Sequence, residues 1–441
     1  MFDLIPPFFA LTISTWFLVV AVIAIIGQSL LLILALFEPG LDYKIDAHPD
    51  VELESEDFQR MLESLTDAQI HCGNRIEVLT NGEVYYEAEL EAIRRAEHNI
   101  NLEAYIFKKG EVGRRFVEAL TERAQAGVEV RLVIDAIGSF TSWESYFERL
   151  RAAGGRIAWY HPFRWYNLPR INNRTHRELI IIDGRIGFIG GAGFADHWLI
   201  DKEKSPRWRD TMFRVEGETV ASLQATFAEN WLEASGEILV GCQFFPKLEP
   251  ASGADTEEGA MVVNSSPSAG RSTRARILYQ MLLASARQNI LITTPYFIPD
   301  KSARFELLRA ISERGVEVSI IAPNKHTDHA LVRGTSRRLY GELLKAGAKI
   351  YEYQPSMIHT KSLIVDEVWA VVGSTNFDNR SFGLNDEVNL AAFDPRLAAR
   401  LREDFERDLG NSRQVSLEEW RKRPLFERGY EQVGRLLERQ Q

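Results

Sequence analysis

From position 8 to position 37 the chain carries no charged side chain, and its few polar residues are scattered rather than gathered on one face. A helix over this run, rising about 1.5 Å per residue, exceeds the roughly 30 Å hydrocarbon core of a bilayer. Glu38-Pro39-Gly40 stops it, with neither a basic leader nor a small-residue cleavage site. The pattern predicts one retained transmembrane helix over 8–37. Lys44 and Arg60 follow the span and no basic residue precedes it. The positive-inside rule then predicts a single-pass protein of the cell membrane with a cytoplasmic body.

The body repeats itself. Ala96-Glu-His-Asn-Ile-Asn-Leu returns as Ala286-Arg-Gln-Asn-Ile-Leu-Ile, and Gly127-Val-Glu-Val-Arg-Leu-Val-Ile as Gly315-Val-Glu-Val-Ser-Ile-Ile-Ala. Ala153-Gly-Gly-Arg-Ile is matched by Ala346-Gly-Ala-Lys-Ile. Self-similarity at a fixed offset marks a tandem duplication, with one half over 70–245 and the other over 259–410. Pro250-Ala-Ser-Gly-Ala-Asp-Thr-Glu-Glu-Gly between them is polar and rich in helix and strand breakers. Each half has an amphipathic helix (87–97; 274–287), an apolar strand (100–107; 290–297), a second helix and a second strand (128–134; 316–322). Strands alternating with helices predict an α/β fold with mostly parallel sheets. A helical segment over 411–441 carries an amphipathic stretch around Trp420, suited to cap the body or to rest on a membrane.

Composition narrows the class. Of 441 residues 45% are hydrophobic and 26% charged, which is globular. Two cysteines, Cys72 and Cys242, exclude a disulfide framework and a four-thiolate metal site. Lys and Arg number 52 against 62 Asp and Glu, a net charge of −10, which disfavours nucleic acid as a partner.

The chemistry gathers at equivalent places in the two halves. The second half has His359-Thr-Lys361 followed by Asp366, then Gly373-Ser374-Thr-Asn376 and Asn385-Asp-Glu387. Period-two alternation puts His359 and Lys361 on one face of a strand. An imidazole, an ammonium, a hydroxyl and an amide converging on one point suit a phosphate or oxyanion. The first half has His176-Arg-Glu178 followed by Asp183, then Gly190-Gly-Ala-Gly193 and Trp208-Arg-Asp210. The His-to-Asp spacing is identical in both. His326-Thr-Asp-His329 has no further ligands spaced to complete a metal site; it reads as a pocket-rim loop, and no metal or cofactor is expected.

With its duplicated layout, His359-x-Lys361 with Asp366, Ser374 and Asn376 resembles the signature of the phospholipase D superfamily. Thr294-Pro-Tyr-Phe-Ile-Pro-Asp300, Asn379-Arg-Ser-Phe382, Asn385-x-Glu387 and the N-terminal apolar segment are similar to those of bacterial cardiolipin synthases. The first motif departs from the pattern, with Glu178 at the usual lysine position and Gly193 at the usual asparagine position. The resemblance implies two phospholipase D-like α-β-α sandwich halves related by a pseudo-twofold axis. It implies a metal-free reaction in which one motif histidine attacks the phosphodiester phosphorus and the other handles the protons of the two alcohols. It implies that Glu387 serves His359, that Asp210 serves His176, and that Lys361, Ser374 and Asn376 hold the phosphate. Asp183 and Asp366 are counted with the catalytic set by the same motif.

Three functions fit these residues. The leading one is a membrane-anchored phosphatidyltransferase that joins two phosphatidylglycerol molecules and releases glycerol, with hydrolysis as a side reaction. A catalytically impaired phospholipid-binding relative and a nuclease are the others, the last opposed by the span and the acidic charge. The histidines are expected to face one cleft between the halves, within reach of a single phosphate. Glu178 is expected to pair with Arg174 or Arg177, because a lone buried carboxylate beside a phosphate is costly. The loop from Pro162 to His176, longer than its counterpart before His359, carries Phe163, Trp165, Tyr166 and Leu168 among Arg164, Arg170 and Arg174. Such a mixture suits a rim touching lipid headgroups.

Overall fold

Both repeats fold into a sheet of the same strand order. The first comprises β1 (Arg75–Thr80), β2 (Asn99–Ala104), β3 (Glu129–Asp135), β4 (Arg156–Tyr160), β5 (Glu178–Ile182), β6 (Ile186–Gly190) and β7 (Thr211–Glu216). Its order is β1-β7-β6-β5-β2-β3-β4. The second comprises β8 (Gly259–Ser265), β9 (Asn289–Thr293), β10 (Glu317–Pro323), β11 (Lys349–Tyr353), β12 (Ser362–Val365), β13 (Trp369–Gly373) and β14 (Glu387–Phe393). Its order is β8-β14-β13-β12-β9-β10-β11, extended at its edges by His71–Cys72 and Ser412–Gln414. This computed structural model describes residues 7–37 (side chains of 15–31), 43–45, 51–142, 144–163, 172–202, 205–254, 258–266, 273–328 and 330–424.

The sheets are mixed rather than mostly parallel. Within these two sheets the parallel strands are β2-β3-β4 and β9-β10-β11, joined by helical crossovers. The others pair antiparallel because β5–β6 and β12–β13 are hairpins. Their turns put Asp183 (φ 53°) and Gly184 (φ 62°), and Asp366 (φ 53°) and Glu367 (φ 60°), in the left-handed region. Such turns reverse the chain within a few residues, which a helical crossover cannot do.

Three apolar layers hold the body together. The outer face of the first sheet packs on α3 (Gly82–Arg94) and α4 (Glu111–Gln125). That of the second packs on α2 (Glu56–Thr66), α6 (Arg274–Ser285), α7 (Lys301–Arg314) and α8 (Ala330–Ala346). The inner faces meet through α5 (Thr219–Ser235) and α9 (Pro395–Gly410). There Leu179, Ile181 and Phe213 share a core with Ile364, Val372 and Leu390, and with Leu223, Phe227 and Leu401 from the two helices. Each such side chain contributes about 1.5–3 kcal/mol on burial, so the halves form one body over residues 43–439.

The N-terminal helix α1 (Pro7–Phe37) belongs to a separate unit, residues 1–42. Its side chains from Trp16 to Leu31 are almost all exposed. Among residues whose side chains are described, no helix is long and apolar enough to cross a membrane. At the other end Leu417–Arg421 is helical, and Trp420 lies against Gly341 of α8 and donates to the Arg337 carbonyl at 2.6 Å. That side chain caps the body. Residues 425–441 lie outside the described residues.

Candidate active site

Two extended segments, leading into β5 and β12, carry the motif histidines. His359 and Lys361 precede β12 rather than lying on it. Each segment is pinned by the other half. Thr175 bridges to Asp386 and Arg209 to Ile358. The His176 amide donates to the Asp386 carbonyl at 2.8 Å, and the His359 amide to the Arg209 carbonyl at 2.7 Å. Residues 387 and 210 follow directly, so their carboxylates arrive beside the opposite half's imidazole. His176 Nδ1 lies 3.1 Å from Glu387 Oε2, and His359 Nδ1 lies 2.8 Å from Asp210 Oδ2. This reverses the expected pairing, because the chain crosses between halves at both bridges.

The Asp210 carboxylate requires the proton of His359 on Nδ1. Lys361 Nζ lies 2.8 Å from Nδ1 and 3.1 Å from Nε2, against the ring rather than in line with either nitrogen, and donates to the His359 carbonyl at 2.8 Å. Burial and the adjacent Lys361 ammonium lower the proton affinity of His359 more than Asp210 raises it, so the imidazole rests neutral. Burial raises the Asp210 carboxyl, but His359, their hydrogen bond and Lys361 bring it below the ordinary range. Burial lowers Lys361 to about 8. Its ammonium also reaches the first-half motif: a Cβ on Gly191 would lie 2.6 Å from Nζ. The two motifs therefore meet at one place.

The other predicted residues divide. Ser374 donates to Glu387 Oε2 at 2.5 Å, which commits its proton to the carboxylate that orients His176. Asn376 is buried with Oδ1 unpartnered. Asp183 and Asp366 stand apart from the imidazoles, at the far ends of β5 and β12. Asp183 accepts the amides of Glu97, His98 and Asn99, and Asp366 those of Arg287, Gln288 and Asn289, all within 2.9 Å. They tie hairpin turns to β2 and β9, which corrects their catalytic assignment.

Glu178 pairs with neither expected arginine. Arg174 is buried on Asp135, Nε to Oδ2 3.3 Å, and Arg177 is held by Glu229 at 2.8 Å. Glu178 Oε1 accepts the amides of Tyr105 and Ile106, both at 3.2 Å. Its Oε2 is buried without a hydrogen-bond partner. Burial raises the carboxyl well above its ordinary range, against smaller opposing effects of those amides and Lys361. The pairing failed as an expectation because each arginine is already held by another carboxylate, Asp135 or Glu229.

Three aromatic rings beside the imidazoles were not singled out from the sequence. Trp198 donates to Asp210 Oδ2 at 3.0 Å. Its ring centre lies 5.5 Å from that of His359, and that of Trp208 lies 5.3 Å away. Tyr105 lies edge-on to His176 at 5.2 Å. Only Trp208, next to Arg209-Asp210, had a motif to mark it. Among the described residues no cluster of His, Cys, Asp and Glu is arranged to hold a metal ion. His329 and residues 164–171, which include Arg164, Trp165, Tyr166, Leu168 and Arg170, lie outside the described residues.

Comparison with known proteins decides the family. The family described as cardiolipin synthase, phospholipase D-like domain, matches residues 90–231 and 279–409. The chain is 38% identical over 386 residues to the major cardiolipin synthase of Bacillus subtilis (strain 168), covering 87% of this chain and 79% of that protein. The chain belongs to the cardiolipin synthase family. It is accordingly an enzyme of the phospholipase D superfamily, of the phosphatidyltransferase class. Cardiolipin synthase 2 of Bacillus anthracis is 36% identical over 407 residues, covering 90% of this chain and 77% of that one. A crystal structure of phosphatidylserine synthase from Haemophilus influenzae Rd KW20 shares the fold. Its TM-score is 0.65 at 14% identity, over 88% of this chain and all of that one. Within the cardiolipin synthase family, then, this chain carries an unsymmetrical motif pair, with Glu178 opposite Lys361.

Proposed function

We propose that this protein is a membrane-anchored cardiolipin synthase that transfers a phosphatidyl group from one phosphatidylglycerol to another and releases glycerol. The reciprocal pairing of His359 with Asp210 and of His176 with Glu387 is the observation that carries this reading. Two imidazoles, each oriented by a carboxylate, are what a two-step displacement at one phosphorus needs. Substrate phosphate engages the Lys361 ammonium beside His359. The Nε2 lone pair attacks phosphorus, a P–N bond forms, and the P–O bond to glycerol breaks. His176, entering the step as an imidazolium with Nδ1–H on Glu387, gives its Nε2 proton to the departing alkoxide. It then takes the proton of the second lipid's hydroxyl, whose oxygen attacks phosphorus and displaces His359.

The apolar run over 8–37 supports a membrane anchor. Exposed Ile137, Phe140 and Phe163 support contact with lipid. They line a cavity of about 710 Å³ on the loop whose Ser139 donates to the Tyr105 carbonyl, and Tyr105 in turn packs on His176. The test is to supply purified full-length protein with labelled phosphatidylglycerol in mixed micelles and resolve the products. Cardiolipin plus glycerol is expected. Phosphatidic acid alone would make it a hydrolase, and no turnover would make it a lipid-binding relative.

A further inference from the structure

The halves differ most in charge two residues after each histidine. In the second half this position is Lys361, whose ammonium lies against its own imidazole. In the first half it is Glu178, whose side chain starts from the equivalent place beside His176. Its surroundings are built for it. Oε1 is bonded to two main-chain amides, and Gly193 leaves it room, since a Cβ there would lie 2.9 Å from Oε1. Gly191 similarly leaves room for Lys361. The neighbouring arginines are engaged elsewhere, and Oε2, on a residue only 4% exposed, has no partner. An ionised carboxylate here would set a buried anion against the phosphate. A protonated one offers a hydrogen bond.

Resting on the phosphodiester-transfer reading above, we propose that Glu178 is an uncharged hydrogen-bond donor whose Oε2–H meets a non-bridging oxygen of the bound phosphodiester, so that of the two matched positions only Lys361 brings an ammonium. Burial, which raises this carboxyl's proton affinity, acts in the same direction. A site with one ammonium and one neutral donor matches a monoanionic phosphodiester. A phosphomonoester, which takes a second charge near neutral pH, meets an uncharged carboxyl at the position where the second half has its lysine. The site thereby favours diester substrates over phosphatidic acid.

The test compares wild-type protein with Glu178→Gln and Glu178→Met, all full-length, on phosphatidylglycerol in mixed micelles, with thermal unfolding as a check on folding. Glutamine keeps a donor and an acceptor without charge; methionine keeps the volume and has no donor. Glutamine should hold kcat/KM within about threefold, whereas methionine should lose on the order of 10²-fold, as when one oxyanion donor is removed. The infrared carbonyl band of a protonated carboxyl should be present in wild type and missing from Glu178→Gln. A methionine variant as active as wild type would overturn the donor role. So would a glutamine variant that falls as far as methionine, because the ionised carboxylate would then be the working form. Wild-type protein inert towards phosphatidylglycerol would instead sink the transferase reading, and this role with it.

Discussion

Each histidine depends on a carboxylate from the opposite half, and that dependence is open to measurement. Asp210→Asn leaves His359 without the acceptor that fixes its tautomer, and kcat should fall on the order of 10²–10⁴-fold, as for the orienting aspartate of a serine protease. His359→Ala should lose more, and adding Asp210→Asn to it should cost almost nothing further, since the two act as a unit. Lys361 sets a different limit. With a pKa lowered to about 8, its ammonium is present below that pH and lost above it. kcat/KM should therefore decline by about tenfold per pH unit beyond 8, and Lys361→Arg should move that decline upward. The residue types of the site were legible in the sequence, because His, Lys and carboxylates recurred at matched positions. Which carboxylate meets which histidine was not, because the bridges of Thr175 to Asp386 and Arg209 to Ile358 join segments far apart in the chain.

The two hairpins show how one motif mixes chemical and structural residues. Asp366 accepts three amides in a turn held at positive φ. Asp366→Ala should lower stability by about 1–3 kcal/mol through unsatisfied amides, while kcat per folded molecule stays near wild type. A denaturant titration beside an active-fraction assay separates the two effects. Restoring the usual asparagine at position 193 should also destabilise, because a Cβ there would lie 2.5 Å from the Ile106 carbonyl oxygen. Main chain cannot yield as a flexible side chain does, so unfolding should register a loss of about 1–3 kcal/mol. The helix–strand alternation was readable because apolar runs and Gly stops mark each element. The antiparallel share of each sheet was not, since a continuous apolar strand looks alike in either direction. Residues Asp183 and Asp366 were misassigned for a related reason: spacing along a strand shows what recurs, and not which end faces the site.

At the scale of the molecule, an apolar unit at 1–42 precedes one body of two fused halves. A chain starting at Tyr43 should no longer sediment with phosphatidylglycerol vesicles in salt, yet should still turn over short-chain phospholipid in micelles. Loss of both would place part of the chemistry in the N-terminal unit. The duplication was plain in the sequence because its matched runs lie at nearly constant offset. The shared core between the sheets was not, since apolar strands do not declare which face meets α5 or α9.

The crossed carboxylates also bear on how the enzyme is made. Glu387 is synthesised 211 residues after the His176 that it orients, an interval of about 10–40 s at 5–20 residues per second. During that interval the emerging first half has its histidine but not the group that directs it. Asp210 is already present, yet its own histidine is not. On the two-histidine reading a ribosome-bound fragment should therefore be chemically silent towards the lipids beside it, and activity should begin only when β14, which starts at Glu387, closes into the second sheet.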